Sequence, residues 1–184
     1  MIRLLDFLLS LLGILFLSPI MVVLFILGFF DTGSPLFFQL RMGKNKKLFK
    51  LVKYRSMYKE TESVSTHLVD KAMLTMYGIF IRKTKLDELP QLFNVLLGDM
   101  SLVGPRPNLP NQFELIAFRD KYEVYSVRPG ITGLSQIKEI DMSTPEKLAK
   151  IDHEMIARFG LKTYIFILFF TITGKGFGDR VINN

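Results

Sequence analysis

The hydrophobic pattern opens with a run that carries no charge, Phe7 to Phe30, FLLSLLGILFLSPIMVVLFILGFF. Its 24 residues are long enough to cross a hydrocarbon core of roughly 30 Å. A cleaved signal peptide has a shorter apolar core and a small-residue cleavage site, and neither fits. Ser18-Pro19 stands in the middle of the run. Proline removes a backbone donor and crowds the carbonyl four residues back, so a bend is expected there. Ser18 can hydrogen-bond a carbonyl and ease that cost in lipid. Arg3 precedes the run, and Arg41, Lys44, Lys46, Lys47, Lys50 and Lys53 follow it. The excess of cations favours the cytoplasm for both flanks. Two topologies satisfy the pattern: a kinked spanning helix, and a helix broken at Ser18-Pro19 that enters and leaves by one leaflet.

After a turn cluster at 31–35, two short strand-like runs, Leu36 to Arg41 and Leu48 to Tyr54, flank a Gly43-containing cationic linker, which predicts a small hairpin. Residues 58–72 are polar and poorly periodic, a loop or marginal helix. Ala72 to Ile81 has helical character. From Asp87 to Leu97 the apolar positions 89, 92, 93, 96 and 97 share one helical face. Pro90 is tolerated near a helix start and Gly98 suits the stop. Asp87 and Glu88 then fall near the helix N-terminus, where the dipole favours negative charge. Residues 110–124 and 145–159 predict two more helices, the second capped by Thr144 with Pro145 at its first position. Leu161 to Thr173 is a second apolar run, too short to span, suited to an interface or to core. Gly104-Pro105-Arg106-Pro107 and Arg128-Pro129-Gly130-Ile131-Thr132-Gly133 are constrained loops. No internal repeat appears.

Composition narrows the chemistry. The chain of 184 residues has no cysteine and two histidines, His67 and His153, far apart in sequence. Thiolate metal sites and disulfides are excluded, and a histidine cluster or Ser-His-Asp triad is disfavoured. Catalytic work falls to carboxylates, lysines or hydroxyls. The formal charge is +7, which points to an anionic partner. An apolar content of 49% favours a membrane over nucleic acid.

The stretch Arg82-Lys83-Thr84-Lys85-Leu86-Asp87-Glu88 places two carboxylates directly after cations. An acid pair alone is ordinary at a helix start. Here Arg106 and Arg128 stand in loops fixed by proline and glycine, and guanidinium forks match phosphate oxygens. The set suits a phosphorylated substrate with a divalent metal. One carboxylate can hold Mg²⁺, which takes few protein ligands, and the other can attack phosphorus. The basic run from Arg41 to Lys53 reads as a lipid-facing patch. No Walker or dinucleotide-binding glycine motif occurs.

Lys53-Tyr54-Arg55-Ser56-Met57, Leu86-Asp87-Glu88-Leu89-Pro90-Gln91, Asn94-Val95-Leu96, the run Gly98 to Pro107 and Arg128 to Gly133 together resemble the bacterial sugar transferases, the monotopic phosphoglycosyl transferases. The resemblance covers nearly the whole chain. It implies transfer of sugar-1-phosphate from a UDP-sugar to a polyprenol phosphate, typically undecaprenyl phosphate, with release of UMP. It implies that Asp87 is the nucleophile, that Glu88 holds Mg²⁺, and that Pro105-Arg106-Pro107 contacts uridine. Lys53, Arg82 and Arg128 match basic family positions that hold phosphates, and Ser18-Pro19 matches the break of a re-entrant helix. The expected fold is α+β and membrane-associated. It comprises a re-entrant helix over 1–31, then a catalytic domain over 32–184 with a small hairpin and interfacial amphipathic helices. Its place would be the cytoplasmic face of the bacterial inner membrane. Two departures stand out. Leu134 replaces a common tryptophan, and Tyr164-Ile165-Phe166 stands where relatives carry an acid.

Two other classes share these residues. A membrane phosphohydrolase would use the same carboxylates without a lipid product. A non-catalytic scaffold would grip anionic lipid with its basic patch. The sugar, the glycan pathway and the oligomeric state are not encoded legibly.

Overall fold

A computed structural model describes residues 1–59, 61 and 73–173. Helix α1, Ile2–Thr32, is followed by strands β1, Leu36–Met42, and β2, Leu48–Tyr54. Then come α2, Met76–Lys83, a 3₁₀ turn at Leu86–Glu88, α3, Gln91–Leu97, and β3, Ser101–Val103. Helix α4, Phe113–Lys121, a 3₁₀ turn at Val124–Ser126, β4, Gly130–Thr132, and α5, Leu134–Ile137, precede the last two helices, α6, Pro145–Ala157, and α7, Leu161–Ile172.

The first helix runs through Pro19, so the expected break does not separate two helices. The proline strips Leu15 O of its usual donor, and Ser18 Oγ supplies a replacement at 2.8 Å. One face of α1 is docked along almost its full length. Arg3 donates to Val95 O and Leu96 O at 2.6 and 2.9 Å. Asp6 and Ser10 are buried, and Gly13 lies against Leu92. Leu17, Met21 and Leu24 pack with Tyr54, Ile81, Leu86 and Leu89. Gly28 meets Pro35 and Tyr77. Steps of three and four from residue 3 to residue 28 are one helical stripe. The other face exposes Leu4, Leu8, Leu11, Leu15, Phe16, Val22, Val23, Ile26 and Phe30.

The hairpin forms as expected, with antiparallel register from Leu36↔Tyr54 to Met42↔Leu48. Its polarity is inverted. Gln39 and Arg41 of β1 are buried, while Phe38 and Leu40 are exposed. Asn94 clips this hairpin to α3: its Nδ2 donates to Lys50 O at 2.8 Å and its Oδ1 accepts from Val52 N at 3.0 Å.

Strands β3 and β4 pair in parallel, Ser101↔Gly130 and Val103↔Thr132. The backbones touch closely enough that a Cβ on Gly130 would lie 2.0 Å from Gly104 N. Glycine at both loops is therefore a steric requirement. Helix α7 is both core and surface, because Tyr164 and Ile167 are buried while Ile165, Phe166, Phe169 and Ile172 are exposed.

Other expectations shift in extent. The 110–124 helix contracts to α4 plus a 3₁₀ turn. Thr144 holds the cap position of α6, with Pro145 in the first turn, but its side chain makes no capping bond. Helix α2 begins later than Ala72, at Met76, where Thr75 Oγ1 accepts from Gly78 N at 2.8 Å. Most of the 58–72 segment lies outside the described residues, as does His67.

A buried node joins the two ends of the chain. Asp6 Oδ1 accepts from Ser101 Oγ, Leu102 N and Tyr164 OH, each at 2.9 Å. Tyr164, noted above for lacking an acid, thus meets one delivered from α1. Replacing Asp6 leaves three donors unsatisfied, two of them side-chain hydroxyls that cannot reach water, so Asp6→Ala should destabilise the fold by about 3 kcal/mol. Tyr164→Phe removes one bond and should cost about 1 kcal/mol. Urea denaturation of the detergent-solubilised protein measures both. Equal stability of Asp6→Ala and the wild type would show that α1 is not anchored through this node.

Candidate active site

Asp87 and Glu88 sit on the 3₁₀ turn rather than inside α3. Lys85, just before it, takes the left-handed conformation at φ 59° and ψ 14°. That strain reverses the chain so that the two acids turn inward. Leu89 and Pro90 keep helical dihedrals and lead into α3. Gly98 closes α3 at φ 99°, as its sequence position predicts.

Asp87 is 6% exposed. It opens onto a cleft of about 510 Å³. The walls include five cationic side chains, Arg41, Lys53, Arg82, Lys85 and Arg106, against two carboxylates, Asp87 and Glu88. The three arginines are each held in place. Arg41 donates to Gln39 Oε1 at 3.0 Å and to Pro107 O at 2.9 Å. Arg82 Nε donates to Ser56 Oγ at 2.9 Å. Arg106 Nη2 donates to Glu88 Oε1 at 2.8 Å.

Behind Arg106 lies a buried network. Arg119 Nη1 donates to Arg106 O at 2.8 Å and to Asn108 Oδ1 at 3.0 Å. Its Nη2 pairs with Asp152 Oδ2 at 2.7 Å. Ser135 Oγ holds the other Asp152 oxygen at 2.9 Å.

The electrostatics split the acid pair. Burial first, then the charge of Glu88, raises the Asp87 carboxyl to about 6, against the pull of Lys53, Arg82 and Lys85. Burial pushes Glu88 upward too, but the Arg106 charge and hydrogen bond, with Lys85 and Lys53, outweigh it and hold Glu88 at about 2. Burial, then the guanidinium groups of Arg82 and Arg41, lowers the Lys53 ammonium to about 7. One carboxylate is thus fixed as an anion, while its neighbour and Lys53 titrate within reach of neutrality.

Of the residues singled out in the sequence, Lys53, Arg82, Asp87, Glu88, Arg106 and Pro107 meet at this cleft. Pro105 does not line it. Arg128 is exposed and donates from Nε to Gly98 O at 2.8 Å, away from the cleft walls. Arg41 was missed. It looked like one cation in a lipid-facing patch, yet strand alternation puts it on the same face as Lys53, opposite Phe49. Lys44, Lys46, Lys47 and Lys50 are exposed, and Lys46 pairs with Asp120 at 2.8 Å. His153 is exposed, with Nδ1 2.9 Å from Tyr122 O.

The cleft combines a buried carboxylate, a second carboxylate fixed by Arg106 and converging guanidinium groups, a set whose charge suits a phosphorylated ligand. Residues 1–176 match the sequence profile of the bacterial sugar transferases, and the chain belongs to that family. It is 46% identical over 121 residues to the uncharacterized sugar transferase EpsL of Bacillus subtilis, covering 65% of this chain and 59% of that protein. It is 33% identical to the exopolysaccharide production protein ExoY of Sinorhizobium fredii, over 91% of this chain and 81% of that protein. The undecaprenyl-phosphate galactose phosphotransferase of Salmonella typhimurium is 36% identical over 77% of this chain, but only 34% of its own length. The chain thus spans about a third of several longer relatives it matches.

The titrations give a sign. As pH rises through about 6, Asp87 gains a negative charge, and through about 7 Lys53 loses a positive one. Both changes weaken anion binding. The affinity for sulfate, a dianion throughout this range, should fall several-fold from pH 5 to pH 8 in calorimetry. Lys53→Met should remove the upper step and leave the lower one. A flat profile in the wild type would contradict this electrostatic picture.

Proposed function

We propose that this chain transfers sugar-1-phosphate from a UDP-sugar to a polyprenol phosphate. The observation that carries the reading is the burial of Asp87 beside an ionised Glu88, inside a ring of five cations. The names of relatives that act on undecaprenyl phosphate support the acceptor.

In the first half-reaction a carboxylate oxygen of Asp87 forms a bond to the β-phosphorus. The bond from that phosphorus to the bridging oxygen breaks, and the electron pair leaves with UMP. In the second, an oxygen of the polyprenol phosphate attacks the same phosphorus. The Asp87 oxygen–phosphorus bond breaks, the carboxylate returns, and the sugar diphosphate lipid forms. Arg41, Lys53 and Arg82 receive the phosphate charges. Arg106 orients Glu88, and with Pro107 it offers a wall for the uridine. Arg128, on the surface beside Gly98, is available to a phosphate only outside this cleft.

The donor set suits Mg²⁺. Both carboxylates are hard oxygen donors, and no group of three metal-ligating side chains occurs among the described residues. Such a site supplies one or two carboxylates and leaves the remaining positions to phosphate and water, the usual Mg²⁺ arrangement. Glu88 would hold the ion, with Asp87 adjacent. When bound, it would offset the negative charge of the diphosphate.

The docking stripe supports a monotopic placement. It runs from Arg3 to Gly28, about 38 Å at 1.5 Å per residue. A helix aligned with the membrane normal would carry its attached domain into the hydrocarbon. A helix that lies at or dips into one leaflet instead presents its exposed apolar face to lipid, alongside the exposed apolar residues of α7. This favours the one-leaflet topology on the cytoplasmic face.

Incubation with UDP-sugars, undecaprenyl phosphate and Mg²⁺ should release UMP and form a lipid-linked product. Asp87→Asn should lower UMP release by at least about 10³-fold. Undiminished release from that variant would remove Asp87 as nucleophile, and sugar phosphate without lipid product would favour a hydrolase. For topology, single cysteines introduced at Met1 and Ser34 in this cysteine-free chain should react with an impermeant maleimide from the same side of sealed vesicles. Labelling from opposite sides would establish a spanning helix.

A further inference from the structure

A second cleft, about 610 Å³ and open to the surface, borders the first. It shares Lys85, Glu88 and Arg106 with the first cleft, but not Asp87. We infer that this second cleft, walled by Leu89, Leu92, Ile131, Thr132, Gln136 and Thr171, seats the sugar ring of the donor, and that Gln136 Oε1 reads one hydroxyl or amide N–H of that sugar. The inference rests on the transferase reading above.

Gln136 carries the argument. Its side chain is 8% exposed. Its Nε2 donates to Ile131 O at 2.7 Å, which fixes which end of the amide is oxygen. The oxygen, Oε1, has no hydrogen-bond partner. A buried acceptor left unpaired is costly, and a ligand that brings a donor relieves the cost. The threonine pair adds an acceptor to this wall, beside the cationic donors Lys85 and Arg106 on the shared ridge. Thr171 Oγ1 donates to Ile167 O at 2.8 Å, so Thr132 Oγ1 is the donor in the 2.7 Å bond between the two threonines. A sugar supplies hydroxyl donors to such a wall and apolar C–H faces to Leu89, Leu92 and Ile131. An isoprenoid chain supplies no donor and would leave the orphan oxygen unpaired.

Stereochemistry points the same way. In each half-reaction the attacking and leaving oxygens lie roughly in line through phosphorus. Asp87 occupies one end of that line both times. UMP and the acceptor phosphate must therefore take turns at the other end, among the cations of the first cleft. The sugar, joined to an equatorial oxygen, has to project sideways. The second cleft adjoins the first along Lys85, Glu88 and Arg106 without reaching Asp87, and offers that space.

The test compares UMP release from UDP-glucose, UDP-galactose, UDP-N-acetylglucosamine and UDP-N-acetylgalactosamine, with UMP inhibition and the KM for undecaprenyl phosphate measured alongside. Gln136→Met should lower kcat/KM for the preferred donor about tenfold or more, the loss of one hydrogen bond to a buried amide. It should narrow the discrimination among the four donors, and leave UMP inhibition and acceptor KM unchanged. A donor lacking the hydroxyl that Gln136 reads should lose that same factor on the wild type and nothing more on Gln136→Met. Thr171→Phe, at the exposed rim, should reject the N-acetylated donors more than the hexoses, and it decides the matter if Gln136→Met fails to fold. Unchanged donor discrimination in both variants would overturn the assignment. So would a change confined to acceptor KM, which would give the cleft to the lipid. A wild type that releases UMP from none of the four would defeat the transferase reading itself, and this inference with it.

Discussion

Five cationic side chains face two carboxylates in a cleft largely withdrawn from water. Such a surplus is unfavourable by itself, since buried charge needs compensation. The structure lessens the penalty internally by lowering Lys53 and by pairing Arg106 with Glu88. What remains is a cavity whose best complement is a polyanion. The same surplus keeps Glu88 ionised beside a carboxylate that would otherwise repel it. The acid pair and the cation ring depend on each other.

Holding that many like charges together requires walls that do not relax apart. They come from five separate places: β1, β2, α2, the 3₁₀ turn and the Arg106 loop. Helix α1 binds several of them to one another. Its stripe touches α3 through Arg3, β3 and α7 through Asp6, and β2 and α2 through Met21 and Leu24. Tyr54 OH donates to Met21 O and Tyr77 OH to Leu24 O, each at 2.7 Å, so the helix backbone itself serves as a frame. The long apolar helix α1 is thus a structural beam of the site as well as an apolar surface.

What the sequence shows and what it hides follow from locality. The hairpin, α3 with its Gly98 stop, α6 and α7 are written in nearby apolar spacing and turn chemistry, and they are found where that spacing places them. The Asp87-Glu88 site was visible because the two acids and several cations are close in sequence. Arg41 and Gln136 were hidden because spacing along the chain does not show which way a polar side chain is held. Arg41 is aimed by the register with β2, and Gln136 by its bond to the β4 carbonyl at Ile131. Alternation in β1 carried a signal for Arg41, but an inverted one, with the apolar residues outside. Asp6 was overlooked because one acid before a long apolar run reads as a solvated end. Its partners lie about 95 to 158 residues away.

The Arg106 loop shows how such distant pairing bears on chemistry. Its main chain is held by Arg119, which is 2% exposed and paired with the fully buried Asp152. Its side chain is held by Glu88. A buried pair of this kind is a poor source of net stability, because desolvation consumes most of the attraction. Its cost is better understood as fixing a geometry that apolar packing could not. Hydrophobic contacts define a distance, whereas the Arg119 fork defines a direction, with one branch on Arg106 O and Asn108 Oδ1 and the other on Asp152. Ser135, which completes the Asp152 end, is the neighbour of Gln136 on α5. The same buried network therefore sets the position of Arg106 on the ridge between the two clefts and the position of the helix that carries Gln136. The acid-pair side and the Gln136 side of that ridge are tied to one rigid element rather than positioned separately.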